Sequence, residues 1–158
     1  ANIVASGFPE LASDLSRIAM TTVDTTGVVV EKSRLSIQPV AGIVPVDDVF
    51  FSAVTRDTVP DPRFRAFTFH FKANLSRENR LRRIADVLQI SVDDVVHVAE
   101  KQTVLPSPKL GHEDIVRSID RHVAGTSLAV VGNYFDGMAI EDCVGRSRRE
   151  FARLAGLT

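Results

Sequence analysis

The residues whose types and spacing could do chemistry lie near the end of the chain. They form the run Leu128-Ala129-Val130-Val131-Gly132-Asn133-Tyr134-Phe135-Asp136-Gly137-Met138-Ala139-Ile140-Glu141-Asp142-Cys143. An apolar stretch of strand length enters a loop bounded by two glycines, and a helical pattern follows at once. Such a step leaves unpaired backbone N–H groups at the helix start, beside the positive end of the helix dipole. A phosphate, a carboxylate or an electron-rich ring oxygen is stabilised there. Gly132 and Gly137 have the Gly-x-x-x-x-Gly spacing of a nucleoside-triphosphate loop, but Met138 and Ala139 stand where Lys and Ser/Thr are needed. Triphosphate binding is therefore disfavoured. Asp136, Glu141 and Asp142 already satisfy the dipole and would repel a free dianion. A polar ring edge held by one or two N–H groups fits better. The same spacing also suits a plain strand–turn–helix in which the glycines only make the turn.

Other candidates are weaker. His70, His97, His112 and His122 lack metal-ligand spacing, so surface positions, or a helix-start role for His112, are expected and no metal site is assigned. A single cysteine allows no internal disulfide, and Cys143 on an apolar helical stripe reads as a buried, inert thiol. Arg77, Arg80, Arg82 and Arg83 read as a solvated basic face of a helix, and Asn74-Leu75-Ser76 as a helix start rather than a glycosylation site. No catalytic residue stands out.

The elements that would position the loop can be read along the chain. Asn2 to Ser6 has the pattern of a short strand, and a helix starts near Pro9 with Leu11, Leu15, Ile18 and Ala19 as its apolar stripe. Val23 to Glu31, Val49 to Thr55, Arg63 to Lys72 and Val95 to Val104 read as strands, with the phase of the second uncertain. Phe67, Phe69 and Phe71 alternate with Thr68, His70 and Lys72, the period of a half-buried strand. Phe64 is out of phase with them, so a bulge or the strand start is expected near Arg65. Ser76 can cap a helix carrying Leu81, Ile84, Ala85 and Leu88 inward. Ser91 to Asp94 reads as a capped turn, and Pro106 and Pro108 mark a boundary. A helix after Gly111 carries Ile115, Val116, Ile119 and Val123, with Glu113 and Arg117 spaced for an ion pair. Leu128 to Val131 reads as a buried strand, and the last helix as burying Ile140, Cys143, Ser147, Phe151 and Leu154 before Gly156.

The chain has 158 residues, 44% hydrophobic and 25% charged, with 19 Lys+Arg against 20 Asp+Glu and a formal net charge of −1. That suffices for a real core, and the neutral balance argues against a protein that grips nucleic acid through phosphates. No apolar stretch approaches the roughly 20 residues that span a bilayer. Asp14 and Arg17 break up the first apolar segment, which excludes a signal-peptide pattern there, so a soluble cytoplasmic protein is expected. The chain opens Ala1-Asn2-Ile3-Val4-Ala5 without Met, and a piece of a longer protein is expected.

The run from Gly111-His112 through Gly132-Asn133-Tyr134-Phe135-Asp136-Gly137-Met138-Ala139-Ile140-Glu141-Asp142-Cys143-Val144 resembles the C-terminal signature of the protoporphyrinogen oxidases, a branch of the FAD-dependent amine oxidases. Pro106 and Gly111-His112 are similar to that family's strand end and Gly-His helix start. The opening Asn2 to Pro9 is similar to its strand–Ala-Thr-Pro–helix element. The resemblance follows the order of elements along the whole chain and is specific over 106–144. It implies that Met138, Ala139 and Ile140 lie against the FAD isoalloxazine, that Gly132 and Gly137 allow close backbone approach, and that Asn133 fixes the turn. It also implies a substrate domain offering an apolar wall to a flat organic substrate, to which Phe67, Phe69 and Phe71 could contribute, the alternative for them being ordinary core. The fingerprint Gly-x-Gly-x-x-Gly that would hold the FAD pyrophosphate is absent, as is the tryptophan the family often carries on the strand here running Val95 to Val104.

The expected fold class is thus α+β. A mixed sheet packed by helices forms the substrate domain, accompanied by the last strand and helix of an FAD-binding domain. Residues 1–21 would lead into the substrate domain, 22–105 would form it, and 106–158 would return to the FAD-binding domain. The parent implied by the resemblance is an FAD oxidoreductase of porphyrin biosynthesis type, oxidising a porphyrinogen or amine-like substrate. This chain would need the missing N-terminal FAD-binding region as partner, hold FAD weakly or not at all alone, and be inactive alone. A homo-oligomer is compatible with it. The rival expectation is a non-enzymatic α+β binding or regulatory domain without the cofactor half.

Overall fold

A computed structural model describes residues 4–57 and 59–156. Its elements are α1 (Pro9–Ser16), β1 (Met20–Glu31), β2 (Gly42–Ile43), β3 (Phe50–Thr55), β4 (Phe64–Lys72), α2 (Arg77–Leu88), β5 (Val95–Pro106), α3 (His112–Val123) and α4 (Ile140–Leu154). They divide into two compact units, one formed by residues 22–104 and the other by the segments on either side. The fold is α+β.

The 22–104 unit is a five-stranded sheet in the order β2-β3-β4-β1-β5. It is antiparallel, not mixed as expected. The physical reason is the connection through α2, which carries the chain past β1 so that β5 lands on its free edge, antiparallel to it. The register pairs Val28 with Phe67, Thr26 with Phe69 and Asp24 with Phe71, so these residues share one face. That face packs on α2 through Leu81, Ile84 and Leu88. Ser76 caps α2 by accepting the Asn79 N–H at 3.2 Å. The register of β3 shifts between Phe50 and Ser52. This bulge lets Phe50 and Ala53 both reach the core, and it accounts for the uncertain phase of the segment.

Thr26 is fully buried in that core, and its hydroxyl has no hydrogen-bond partner among the described residues. Thr26→Val keeps the shape and removes the orphan group, so it should stabilise the protein by about 1 kcal/mol. Urea unfolding checks this, and a destabilised variant would mean that the hydroxyl is satisfied.

In the other unit α1 lies on α3, with Leu11, Ile18, Ile119, Val123 and Phe135 as its core. His122 Nε2 lies 3.2 Å from Asp14 Oδ2, tying the two helices, and Arg17 bonds the same carboxylate at 2.9 Å. Hydrogen bonds from Ser118, Arg17 and His122 hold the Asp14 carboxyl below the usual range against the opposing effect of burial. The ion pair expected between Glu113 and Arg117 is replaced by one between Asp114 and Arg117. Residues 4–7, expected as the end of a strand, form a turn, while Asn2 and Ile3 lie outside the described residues. Among the described residues no helix is long and apolar enough to cross a membrane.

Candidate functional site

The segment from Leu128 to Leu154 is built differently from its sequence pattern. Residues 128–131 take no regular secondary structure and join no sheet. The expected strand has no ladder neighbour among the described residues, so its carbonyls need other donors. Arginines of α4 supply them. Arg146 Nε donates to the Val130 carbonyl at 3.2 Å, and Arg153 donates to the carbonyls of Leu128, Thr126 and Val123 at 2.6, 3.0 and 3.1 Å. Arg146 is 5% exposed, bonds Asp120 Oδ1 at 2.6 Å and sits 4.1 Å from the centroid of the Phe135 ring. Buried Glu150 lies between the two arginines, 2.9 Å from Arg153 and 3.6 Å from Arg146. The hydrogen bond from Arg153 and the charge of Arg146 hold its carboxyl below the usual range, against the opposing effect of burial.

The inward face of α4 is therefore polar, and this corrects the expectation that Ile140, Cys143, Ser147, Phe151 and Leu154 are buried. Ile140 is 79% exposed and Phe151 68%. With Asn133, Met138, Cys143 and Val144 they line an open trough of about 670 Å³. The stripe is real, but the carbonyls of 123–130 select the arginine face for the inside. Sequence reasoning missed Arg146, Glu150 and Arg153, although their i,i+4 and i,i+3 spacing was a usable signal.

The turn into α4 is held from both sides. His112, at the start of α3 and 9% exposed, donates from Nε2 to the carbonyl of Tyr134. The Gly111-His112 step and the Gly132–Gly137 turn are thus tied together directly, and His112, at the helix start as expected, is a buried tether. Burial pushes the Tyr134 phenol up. Beside Gly132 a Cβ would come within 2.6 Å of the Tyr134 ring, and beside Gly137 within 2.2 Å of Asp142 Oδ2, so a side chain at either position would have to displace its neighbour. Asp142 Oδ2 also accepts the Ala139 N–H at 3.1 Å.

The fit of a flavin edge follows from these contacts. The space flanking Gly132 and Gly137 is filled. The side of Met138, Ala139 and Ile140 is exposed, and the N–H groups of residues 140–142 bond no acceptor among the described residues. The polar edge of a neutral ring fits that side. Asn133 lines the adjoining trough.

Phe67, Phe69 and Phe71 are not a wall. They are 2%, 0% and 0% exposed, packed on α2 and on each other, and a side chain enclosed in this way faces no ligand. The opposite face of β4 carries Thr68, His70 and Lys72, with Ser52 of β3 and Thr25 of β1 in the row of His70. Ser52 Oγ bonds His70 Nδ1 at 3.1 Å, and Arg56 Nε donates to Thr68 Oγ1 at 3.0 Å. Among the described residues no group of His, Cys, Asp and Glu could hold a metal ion.

No family model matches the chain, and no curated protein sequence matches it. Solved structures do. The crystal structure of reduced UDP-galactopyranose mutase aligns with a TM-score of 0.64 at 10% identity, over 97% of this chain and 38% of that one. The likeness is one of fold, and the chain spans well under half of that neighbour.

Proposed function

We propose that the chain is the C-terminal, substrate-facing part of an FAD-dependent oxidoreductase resembling the protoporphyrinogen oxidases, whose parent oxidises a porphyrinogen or amine-like substrate. The observation that supports this best is the reversed helix α4, which turns its apolar face outward beside an apolar segment, 128–131, with no sheet neighbour among the described residues. A helix and a strand so disposed suit a larger α/β layer, and the 38% coverage of the solved neighbour leaves room for one. The reduced state named for that neighbour requires a redox-active group in that protein. The flavin implied by the 106–144 resemblance is such a group.

In this proposal the backbone of Met138, Ala139 and Ile140 would hold the ring's polar edge, with the start of α4 supplying N–H donors. The flavin, when bound, supplies the electron acceptor for substrate oxidation. The outer face of the 22–104 sheet, with His70, Ser52 and Thr68, takes the substrate-facing role first expected of the phenylalanines. The missing FAD-binding region would cover the trough of α4.

The purified chain alone should hold no stoichiometric flavin, because no dinucleotide fingerprint is present to bind the pyrophosphate. Absorbance of the gel-filtered protein after incubation with FAD measures this. Joined to a dinucleotide-binding region, the same chain should retain flavin. A joined, folded protein without flavin would overturn the proposal.

A further inference from the structure

We infer that the outer face of β3 and β4 binds an organic anion through Arg56, His70 and Lys72. The inference comes from how the arginines of the 22–104 unit are partnered. Arg34, Arg63, Arg65, Arg77, Arg80, Arg82 and Arg83 each lie within salt-bridge distance of a carboxylate. Arg56 has no carboxylate partner among the described residues. Its Nε is held instead by the neutral Thr68 hydroxyl, which orients the guanidinium and leaves its two terminal nitrogens free. Its sequence neighbour Asp57 is turned to Arg65.

The same arrangement recurs one step along the strand. Ser52 holds His70 Nδ1, and no group among the described residues bonds His70 Nε2. In the tautomer whose Nδ1 accepts from the hydroxyl, Nε2 carries the proton and is an outward donor. Lys72 follows on the same face, with only a 3.8 Å approach to Asp47, which is 97% exposed. Positions 68, 70 and 72 are spaced roughly 7 Å apart along β4, so the donors form a line rather than a point. Glu31, on the same face but paired with Phe64 at the far end of the ladder, is bonded to Arg63. Arg56 and His70 are therefore oriented and without a carboxylate partner among the described residues, while Lys72 is shared with Asp47 and Asp48.

Free guanidinium nitrogens, an imidazole N–H and an ammonium in a line suit carboxylate or phosphate oxygens and disfavour a cation. The substrate of the proposed parent is thus an acid rather than an amine. That last step rests on taking this unit as substrate-facing; binding itself does not, since no flavin enters the test.

The test titrates the 158-residue chain with citrate, UDP and benzylamine while following backbone amide resonances. Citrate or UDP should shift the amides of residues 52–56 and 66–72. A response to citrate alone identifies a carboxylate ligand, and one to UDP alone a phosphate ligand. Arg56→Gln should weaken binding at least about tenfold, the loss expected of a charged hydrogen bond. Arg56→Lys should be intermediate, and Arg82→Gln, at an α2 arginine paired with Glu78, should bind as wild type. The inference is overturned if neither anion shifts these amides, if Arg56→Gln in a folded protein binds undiminished, if Arg82→Gln weakens binding equally, or if benzylamine binds tightest. Absence of flavin from the joined protein would refute the flavin proposal and leave these titrations standing.

Discussion

Phe69→Ala is expected to cost about 3–5 kcal/mol of stability, the range for emptying a buried aromatic site. Phe69 is fully buried, packs edge-on to Phe50 with centroids 5.4 Å apart, and stacks on Phe71 at 5.9 Å. Removing its ring leaves a cavity between two strands that the bulge of β3 already constrains. The rings cannot close it without moving the backbone, so relaxation should recover little. Urea unfolding measures the loss. A substrate-facing phenylalanine would behave in the opposite way, with near-wild-type stability and altered ligand binding. A cost under about 1 kcal/mol would return Phe69 to the surface.

The same strand shows what was legible in the sequence. Alternation of Phe67, Phe69 and Phe71 with Thr68, His70 and Lys72 establishes a strand with two unlike faces. The strand's period says that the faces differ, not what each one meets. The apolar face became core because α2 offers Leu81, Ile84 and Leu88 to it, which left the polar face for chemistry. Ser76 and the Ser91–Asp94 turn were legible because a cap is local, needing only a side chain and an N–H within three residues. The Leu128–Val131 segment was not, because an apolar run becomes a strand only when another strand lies beside it. The stripe on α4 was likewise visible, but its direction depended on carbonyls of residues 123–130, some twenty residues away in sequence. In the turn before α4, the spacing of Gly132 and Gly137 suits a plain turn, and the side chains of Tyr134 and Asp142 that lie against the two glycines are not legible from it.

The direction of α4 yields the sharpest contrast between two single substitutions. Arg146→Ala should destabilise by about 2–3 kcal/mol, because it strips a charged donor from the buried Glu150 and the Val130 carbonyl, although Arg153 stays paired with Glu150. Asp120 and Glu150 would lose that cation, the Val130 carbonyl its donor, and the Phe135 ring its cover. Ile140→Ala should change stability by no more than about 0.5 kcal/mol, since Ile140 is 79% exposed. Composition alone would predict the reverse ranking, an isoleucine on an apolar stripe outweighing an arginine. Acid titration separates loss of the network from a general loss of packing. The Glu150 carboxyl is lowered chiefly by Arg153 and further by Arg146, so its stabilisation is present above the ordinary carboxylate range and is lost as pH falls through the lowered value. Without Arg146 that acid-dependent loss should shrink but persist through Arg153, so the cost of Arg146→Ala should narrow in acid. Equilibrium unfolding of both variants at neutral and acid pH decides the matter. If Ile140→Ala proves the costlier change at neutral pH, α4 packs with its apolar face inward, and the open trough at the centre of the proposed function disappears with it.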